Sequence, residues 1–187
     1  MNSETTSEVI IRPAREEDIP GIVALVNGYA AQNLMLPRSP EEVRRTLKTW
    51  VVAEAQGDVV GCAALARLSP ELAEIRSLAV APDRKGQGIG ARLVQTLVEV
   101  ARQEGIRQVA ALTLQQTFFE RLGFEVVDRW ALSPKIWSEC VYCPKFHRCD
   151  EVAVALTLTP EGEDHAHRPP HEAHLPQSAW ALTPLSR

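Results

Sequence analysis

Ala73-Glu74-Ile75-Arg76-Ser77-Leu78-Ala79-Val80, followed shortly by Lys85-Gly86-Gln87-Gly88-Ile89-Gly90, is the stretch that decides the fold. An apolar-rich strand runs into a Gly-rich turn, and the turn opens a helix carrying Leu93, Leu97 and Ala101 on one face. Glycines let backbone N–H groups approach a ligand closely, and a helix N-terminus favours negative charge. The junction is therefore that of a chain holding a phosphate-bearing cofactor; without a ligand it would be a flexible loop before an amphipathic helix. The spacing Gly86-x-Gly88-x-Gly90 departs from the G-x-G-x-x-G of dinucleotide folds, and no Gly-Lys-Ser/Thr follows as in a P-loop.

At 187 residues the chain has the length of one ordinary domain with room for a core. It is 45% hydrophobic and 24% charged, which is usual for a soluble globular protein. A net charge of −4 offers no broad basic field to nucleic acid or an anionic membrane. Residues 1–8 form a polar leader without the apolar run of a signal peptide. No apolar stretch approaches the ~18 residues that cross a bilayer. A cytoplasmic protein with neither nucleic-acid nor membrane partners is expected.

Outward from the junction, Val9-Ile10-Ile11-Arg12 reads as a first strand. Asp18 and Pro20 open a helix carrying Ile22, Leu25, Val26 and Tyr29. Ser39-Pro40-Glu41-Glu42 reads as a capping box whose helix runs to about Lys48. Trp50 to Ala55 and Val59 to Arg67 form a hairpin around Gln56-Gly57-Asp58. Beyond the glycine-rich junction come a strand over Gln108 to Leu114 and a short helix over Gln116 to Leu122 that stops at Gly123. Strands over Phe124 to Arg129 and Glu151 to Thr159 follow. From residue 160 to 187 prolines and histidines accumulate without apolar periodicity, the composition of a disordered tail. His165, His167, His171 and His174 there could bind a metal weakly, but without rigid spacing they read first as part of a flexible polar tail.

The loop Lys85-Gly86-Gln87-Gly88-Ile89-Gly90 resembles the pyrophosphate loop of the GNAT acyl-CoA N-acyltransferases. That loop has Arg or Gln, two residues, Gly, one residue, then Gly or Ala; Lys85 keeps a donor here but loses a planar fork. The element order β-α-α-β-β-β-α-β-α-β-β matches the α/β, mixed-sheet GNAT fold, and the resemblance covers residues 9–159. It implies acetyl-CoA as co-substrate, held by Leu78, Ala79 and Val80 of the strand and by Lys85, Gly86, Gln87, Gly88, Ile89, Gly90 and Ala91 of the loop. It also implies a general base at Glu74, often acting through water. The alternative for Glu74 is a surface carboxylate paired with Arg76, since Glu74, Arg76 and Leu78 alternate onto one face of a regular strand. The thioester carbonyl would be polarised by backbone N–H groups near Leu78 to Val80. Phe119 stands where many GNAT enzymes carry a tyrosine general acid, and it cannot donate a proton. Tyr142 is a distant substitute.

One branch is more similar still: the acetyltransferase part of the N-acetylglutamate synthases. The residues that carry this are Ala30-Ala31-Gln32-Asn33-Leu34-Met35-Leu36-Pro37-Arg38-Ser39, Gly61-Cys62-Ala63-Ala64-Leu65, Ala73-Glu74-Ile75, Ala111-Leu112-Thr113 and His147-Arg148. The resemblance implies L-glutamate as acceptor, its carboxylates held by Arg38-Ser39 and by Arg148; Arg76, Arg67 and Lys135 are further cations that could add charge. Two carboxylates suit two separate arginines, because a guanidinium grips a carboxylate bidentately. Asp150 replaces a serine of the family. Ser39 also reads as a helix N-cap, and the two roles are compatible; Arg67 and Lys135 read as solvated surface charges before substrate ligands. Glutamine, another small amine, or acyl-CoA sensing without turnover are the alternatives. The family habit is a homodimer.

Cys140-x2-Cys143-x5-Cys149, with His147 between, is the other unusual feature. Such spacing can supply a tetrahedral zinc site from Cys140, Cys143, His147 and Cys149. Free thiols on a loop near the substrate are the alternative. Cys62, in an apolar strand, is expected in the core.

Overall fold

The computed structural model describes residues 8–132, 135, 140–143 and 145–158. The expected polar leader up to residue 7 and the histidine-bearing tail lie outside the described residues. Two units are described, 8–66 with 75–99 and 67–74 with 100–158.

In the first unit, strand β1 (Ile10–Pro13) pairs antiparallel with β2 (Trp50–Ala55), and β2 pairs antiparallel with β3 (Asp58–Arg67). The expected hairpin closes through Gln56 and Gly57, both at positive φ (56° and 89°). That pair of left-handed residues is what a tight two-residue hairpin turn requires. Helix α1 (Ile19–Ala30) lays Ile22, Val26 and Tyr29 into a core shared with Val43, Trp50, Val52, Cys62 and Ala79. Asp18 stands at its N-cap without capping it. The Asp18 carboxylate accepts instead from the Arg12 guanidinium (2.7 and 2.8 Å) and the Arg15 N–H (2.7 Å). Those bonds, Arg12 first, hold its carboxyl below the usual carboxylate range.

Helix α2 spans Pro40–Arg45 and is shorter than expected. Its capping box forms as written: Ser39 Oγ accepts from the Glu42 N–H (3.2 Å) and Glu42 Oε2 from the Ser39 N–H (2.7 Å). The Ser39 N–H draws the Glu42 carboxyl below its ordinary range. The Thr46 hydroxyl then donates to the Glu42 carbonyl (2.9 Å), and the chain tightens into a 3-10 turn over Leu47–Thr49. A hydroxyl that competes for the i−4 carbonyl is a common way to end a helix.

Strand β4 (Leu72–Val80) begins in the second unit and finishes in the first. Helix α3 (Ile89–Gln103) buries Ile89, Leu93, Leu97 and Ala101 at four-residue spacing, the face read from the sequence. It approaches β3 closely enough that a Cβ at Gly61 would meet Ile89 and Leu93 at 3.1 Å.

In the second unit, β4 pairs parallel with β5 (Gln108–Thr113) through Leu72↔Gln108, Ala73↔Val109 and Glu74↔Ala110. Strand β7 (Val152–Thr157) pairs antiparallel with β5 on one side and with β6 (Glu125–Val126) on the other. Parallel and antiparallel pairings thus coexist, as a mixed sheet requires. Helix α4 (Gln116–Glu120) precedes β6. Leu72, Ala110, Leu132, Ala153 and Ala155 form this unit's core. Strand β6 is shorter than the sequence suggests. Phe124 turns inward against Phe119, and the Asp128 carboxylate accepts from the Trp130 N–H (2.8 Å), starting a 3-10 turn over Arg129–Leu132. Among the described residues no helix is long and apolar enough to cross a membrane.

Candidate functional site

The glycine-rich loop is built for close approach. Gly86 and Gly88 adopt φ of +78° and +75°, and a Cβ added to either would meet nothing within 4 Å. The Arg92 N–H donates to the Gly88 carbonyl (3.1 Å), which makes Gly88 the residue from which α3 starts. By helix geometry the N–H groups of Ile89, Gly90 and Ala91 then have no acceptor within the helix. Open space above left-handed glycines, at the start of a long helix, fits a pyrophosphate. Lys85 adds a cation: its ammonium lies 4.9 Å from the centre of the Tyr29 ring. Tyr29 does a second thing, since its hydroxyl donates to the Val80 carbonyl (2.5 Å). One side chain of α1 thereby contacts both β4 and the loop. Helical periodicity marks Tyr29 as apolar and conceals that role.

Leu78, Ala79 and Val80 form the end of β4. Just before them Ser77 takes φ of +53°, so the strict alternation assumed for Glu74, Arg76 and Leu78 is interrupted. A left-handed residue inside a strand is a bulge-like irregularity that re-aims its neighbours. Arg38 approaches this point: its Nε donates to Ser77 Oγ at 3.4 Å. The Arg38 backbone is clamped by Asn27, whose Oδ1 accepts from the Arg38 N–H (2.9 Å) and whose Nδ2 donates to the Arg38 carbonyl (3.1 Å). Asn27 carries no pattern that sequence inspection could have used. Arg76 is half-buried, and Ser39 is committed to the cap of α2.

In the second unit Glu74 is only 2% exposed, a buried carboxylate rather than a surface one. Its Oε1 lies 2.5 Å from the Lys135 ammonium, itself buried. Further charges and thiols belong to the same neighbourhood. Burial pushes the Glu151 carboxyl above its ordinary range, opposed by Lys135 and reinforced by Glu74. Burial likewise raises the Cys140 thiol, with Lys135 opposing and Glu74, Cys149 and Glu151 adding to the rise. Glu151 was not singled out in the sequence; a carboxylate flanking a strand carries no signal until its burial is known.

The four proposed zinc ligands are not gathered into one cluster. Among the described residues no group of three or more His, Cys, Asp or Glu is placed to hold a metal ion. Cys140 and His147 sit in separate 3-10 turns, Cys140–Tyr142 and Phe146–Arg148. The His147 ring packs edge-on against Phe146, 5.2 Å between centres, while the Cys149 thiol faces Glu151 Oε2 at 3.9 Å. The thiols are free. Cys62 is in the core as expected, its thiol pushed up to about 12 by burial.

Arg148 is exposed, and Asp150 pairs with Lys145 at 3.8 Å. Arg67 pairs with Glu104 (3.1 Å) at the surface, as expected of a solvated charge. Phe119 is packed edge-to-face between Phe118 and Phe124, with centres 5.2 and 5.1 Å away. Tyr142 is 82% exposed.

Comparison with known proteins agrees with this geometry. The profile of the acetyltransferase (GNAT) domain matches residues 46–126. An uncharacterized N-acetyltransferase of Chlorobaculum tepidum is 39% identical over 152 residues, covering 81% of this chain and 98% of its own. An amino-acid acetyltransferase of Mycobacterium tuberculosis is 35% identical over 133 residues, 70% of this chain and 76% of the relative. Among solved structures, N-acetylglutamate synthase from Neisseria gonorrhoeae, complexed with coenzyme A and N-acetyl-glutamate, superposes with a TM-score of 0.66 at 27% identity. That match covers 83% of this chain and 36% of the synthase.

Proposed function

Because this chain belongs to the GNAT family of acetyltransferases, we propose that it transfers the acetyl group of acetyl-CoA to the α-amine of L-glutamate. The product is N-acetyl-L-glutamate, the reaction is the first of arginine biosynthesis, and its setting is the cytoplasm. The observation that carries the acyl-CoA half is the open loop of left-handed Gly86 and Gly88 at the head of α3. The glutamate half is supported by Arg38, clamped by Asn27 with its side chain at Ser77, and by similarity to the synthase that binds N-acetyl-glutamate.

Each residue then has a task. The loop from Lys85 to Ala91 receives the pyrophosphate, and Leu78, Ala79 and Val80 receive the chain that leads from it to the thioester. Acetyl-CoA supplies an acetyl group already activated as a thioester. Glu74 takes a proton from the acceptor ammonium, directly or through water, leaving a neutral nitrogen lone pair to form the new C–N bond. Backbone N–H groups near Leu78 to Val80 receive the negative charge that develops on the carbonyl oxygen. The C–S bond breaks, the thiolate departs, and the second proton of the nitrogen passes to the thiolate or to solvent, leaving the neutral amide. Phe119 has no proton to give the thiolate, so this step runs without a general acid from α4. Arg38 holds one carboxylate of glutamate, Arg76 of β4 adds charge, and Arg148 holds the other carboxylate.

One observation favours glutamine as a second reading. Asp150 puts a negative charge two residues from Arg148, which suits an acceptor with one carboxylate rather than two. The test is CoA release by the purified protein with acetyl-CoA and each common amino acid. Turnover strongest with L-glutamate supports the synthase reaction, and turnover strongest with glutamine favours the alternative. Acetyl-CoA binding without turnover of any amine would overturn both and leave a sensor.

A further inference from the structure

Lys135 was grouped by sequence with the residues that add charge for a substrate carboxylate. Its surroundings are of a different kind. The ammonium is buried and lies 2.5 Å from Glu74 Oε1, in contact with a carboxylate the chain already supplies. A buried cation so engaged has its strongest direction of attraction already used. Releasing it toward an incoming carboxylate would take from Glu74 a cation that offsets the cost of burying its charge.

Stability does not account for the pair either. Taking both ions out of water roughly cancels their attraction, so apolar residues of similar volume often serve at least as well. A buried ion pair with further ionisable groups in its neighbourhood is better explained by chemistry than by folding. The neighbouring groups sharpen this. Glu151 and Cys140 lie within electrostatic reach of the pair, Cys149 bears on Cys140, and Lys145 and Asp150 bear on Glu151 from the same segment. Glu74, Glu151 and Asp150 are acidic, so the neighbourhood needs a cation for its own balance.

We propose that Lys135 is a positioning residue for Glu74: its ammonium fixes one carboxylate oxygen and keeps the carboxylate where it can take the acceptor's proton, and it does not bind the substrate. This deepens the acetyltransfer reaction proposed above and rests on Glu74 being its base. A lysine that acts only through Glu74 lowers turnover while leaving the acceptor's KM alone. A lysine that grips a substrate carboxylate raises KM whether or not Glu74 is present.

The experiment is a double-mutant cycle in the full chain, using Lys135→Met, Glu74→Gln and their combination, with Lys135→Arg as the conservative variant. Lys135→Met should lower kcat by at least roughly tenfold with the acceptor KM within about twofold. Lys135→Arg should restore part of the loss. In the Glu74→Gln background Lys135→Met should lower kcat by less than about threefold, because the interaction it served is already gone. Losses that multiply, or a KM for the acceptor that rises about tenfold in both backgrounds, would overturn the proposal. If Lys135→Met alone fails to fold, the comparison of the double variant with Glu74→Gln decides, since neither leaves a buried carboxylate without its cation. A wild type that acetylates no amino acid overturns the functional proposal before any variant is compared, and the positioning role with it.

Discussion

At its start strand β4 buries a carboxylate against an ammonium, through Glu74 and Lys135; beyond its end the chain turns through two left-handed glycines and presents backbone N–H groups in open space. The first arrangement is made of side chains brought from distant parts of the sequence. The second is made of main chain over a handful of consecutive residues. A main-chain device must be written locally, as glycine spacing and a helix start, because nothing else can supply the conformation. A side-chain pair needs only that the fold bring two residues together, and it can leave no local trace.

The contrast can be broken at either end. Glu74→Gln should give the largest effect, lowering kcat about 10²–10⁴-fold with CoA affinity within roughly twofold. Steady-state kinetics beside calorimetric CoA titration would show it, and a parallel loss of CoA affinity would mean that the two ends do not work separately. Gly88→Val comes next. An added side chain meets no neighbour within 4 Å, so the damage is conformational strain at φ +75° rather than crowding. Strain of about 1–3 kcal/mol predicts CoA binding weakened roughly five- to a hundredfold, with a nearly unchanged melting temperature. Unaltered affinity would remove the loop from the cofactor's path. Tyr29→Phe should give the smallest change: CoA affinity reduced about two- to tenfold, from loss of the hydroxyl's bond to Val80 while the ring under Lys85 remains. If it also altered kcat as strongly as Glu74→Gln, the main-chain end would be doing the work assigned to the other.

The same contrast explains what could be read from the sequence. The element order, the hairpin turn at Gln56-Gly57 and the capping box of Ser39 and Glu42 rest on neighbours in the chain, and all three are present. Where a local competitor intervened, boundaries moved. At Thr46, whose hydroxyl shares the Glu42 carbonyl with its own N–H, α2 gives way to a 3-10 turn, and at Asp128, which accepts from the Trp130 N–H, β6 gives way to another. Asp18 has the composition of a cap but is claimed by Arg12, and that choice is tertiary. In the candidate site the loop was legible. The Asn27 clamp on Arg38, the Tyr29 hydroxyl on Val80, the half-buried setting of Glu151 and the Lys135 partner of Glu74 were not. The cysteine spacing is the opposite case: the local pattern is plain, while Cys140 and His147 fall in separate 3-10 turns and no three such ligands are grouped among the described residues.

The left-handed glycines of the loop also bear on how this protein can drift. Every amino acid reachable from a glycine codon by a single base change carries a Cβ, so each such change at Gly86 or Gly88 meets the same conformational penalty. Asparagine, which tolerates that backbone best, is not among them, and the aspartate and glutamate that are would set a negative charge against a phosphate group. The loop has space around it and almost no permitted neighbours in the genetic code. Variation in this lineage should therefore gather around Gly86 and Gly88 rather than at them.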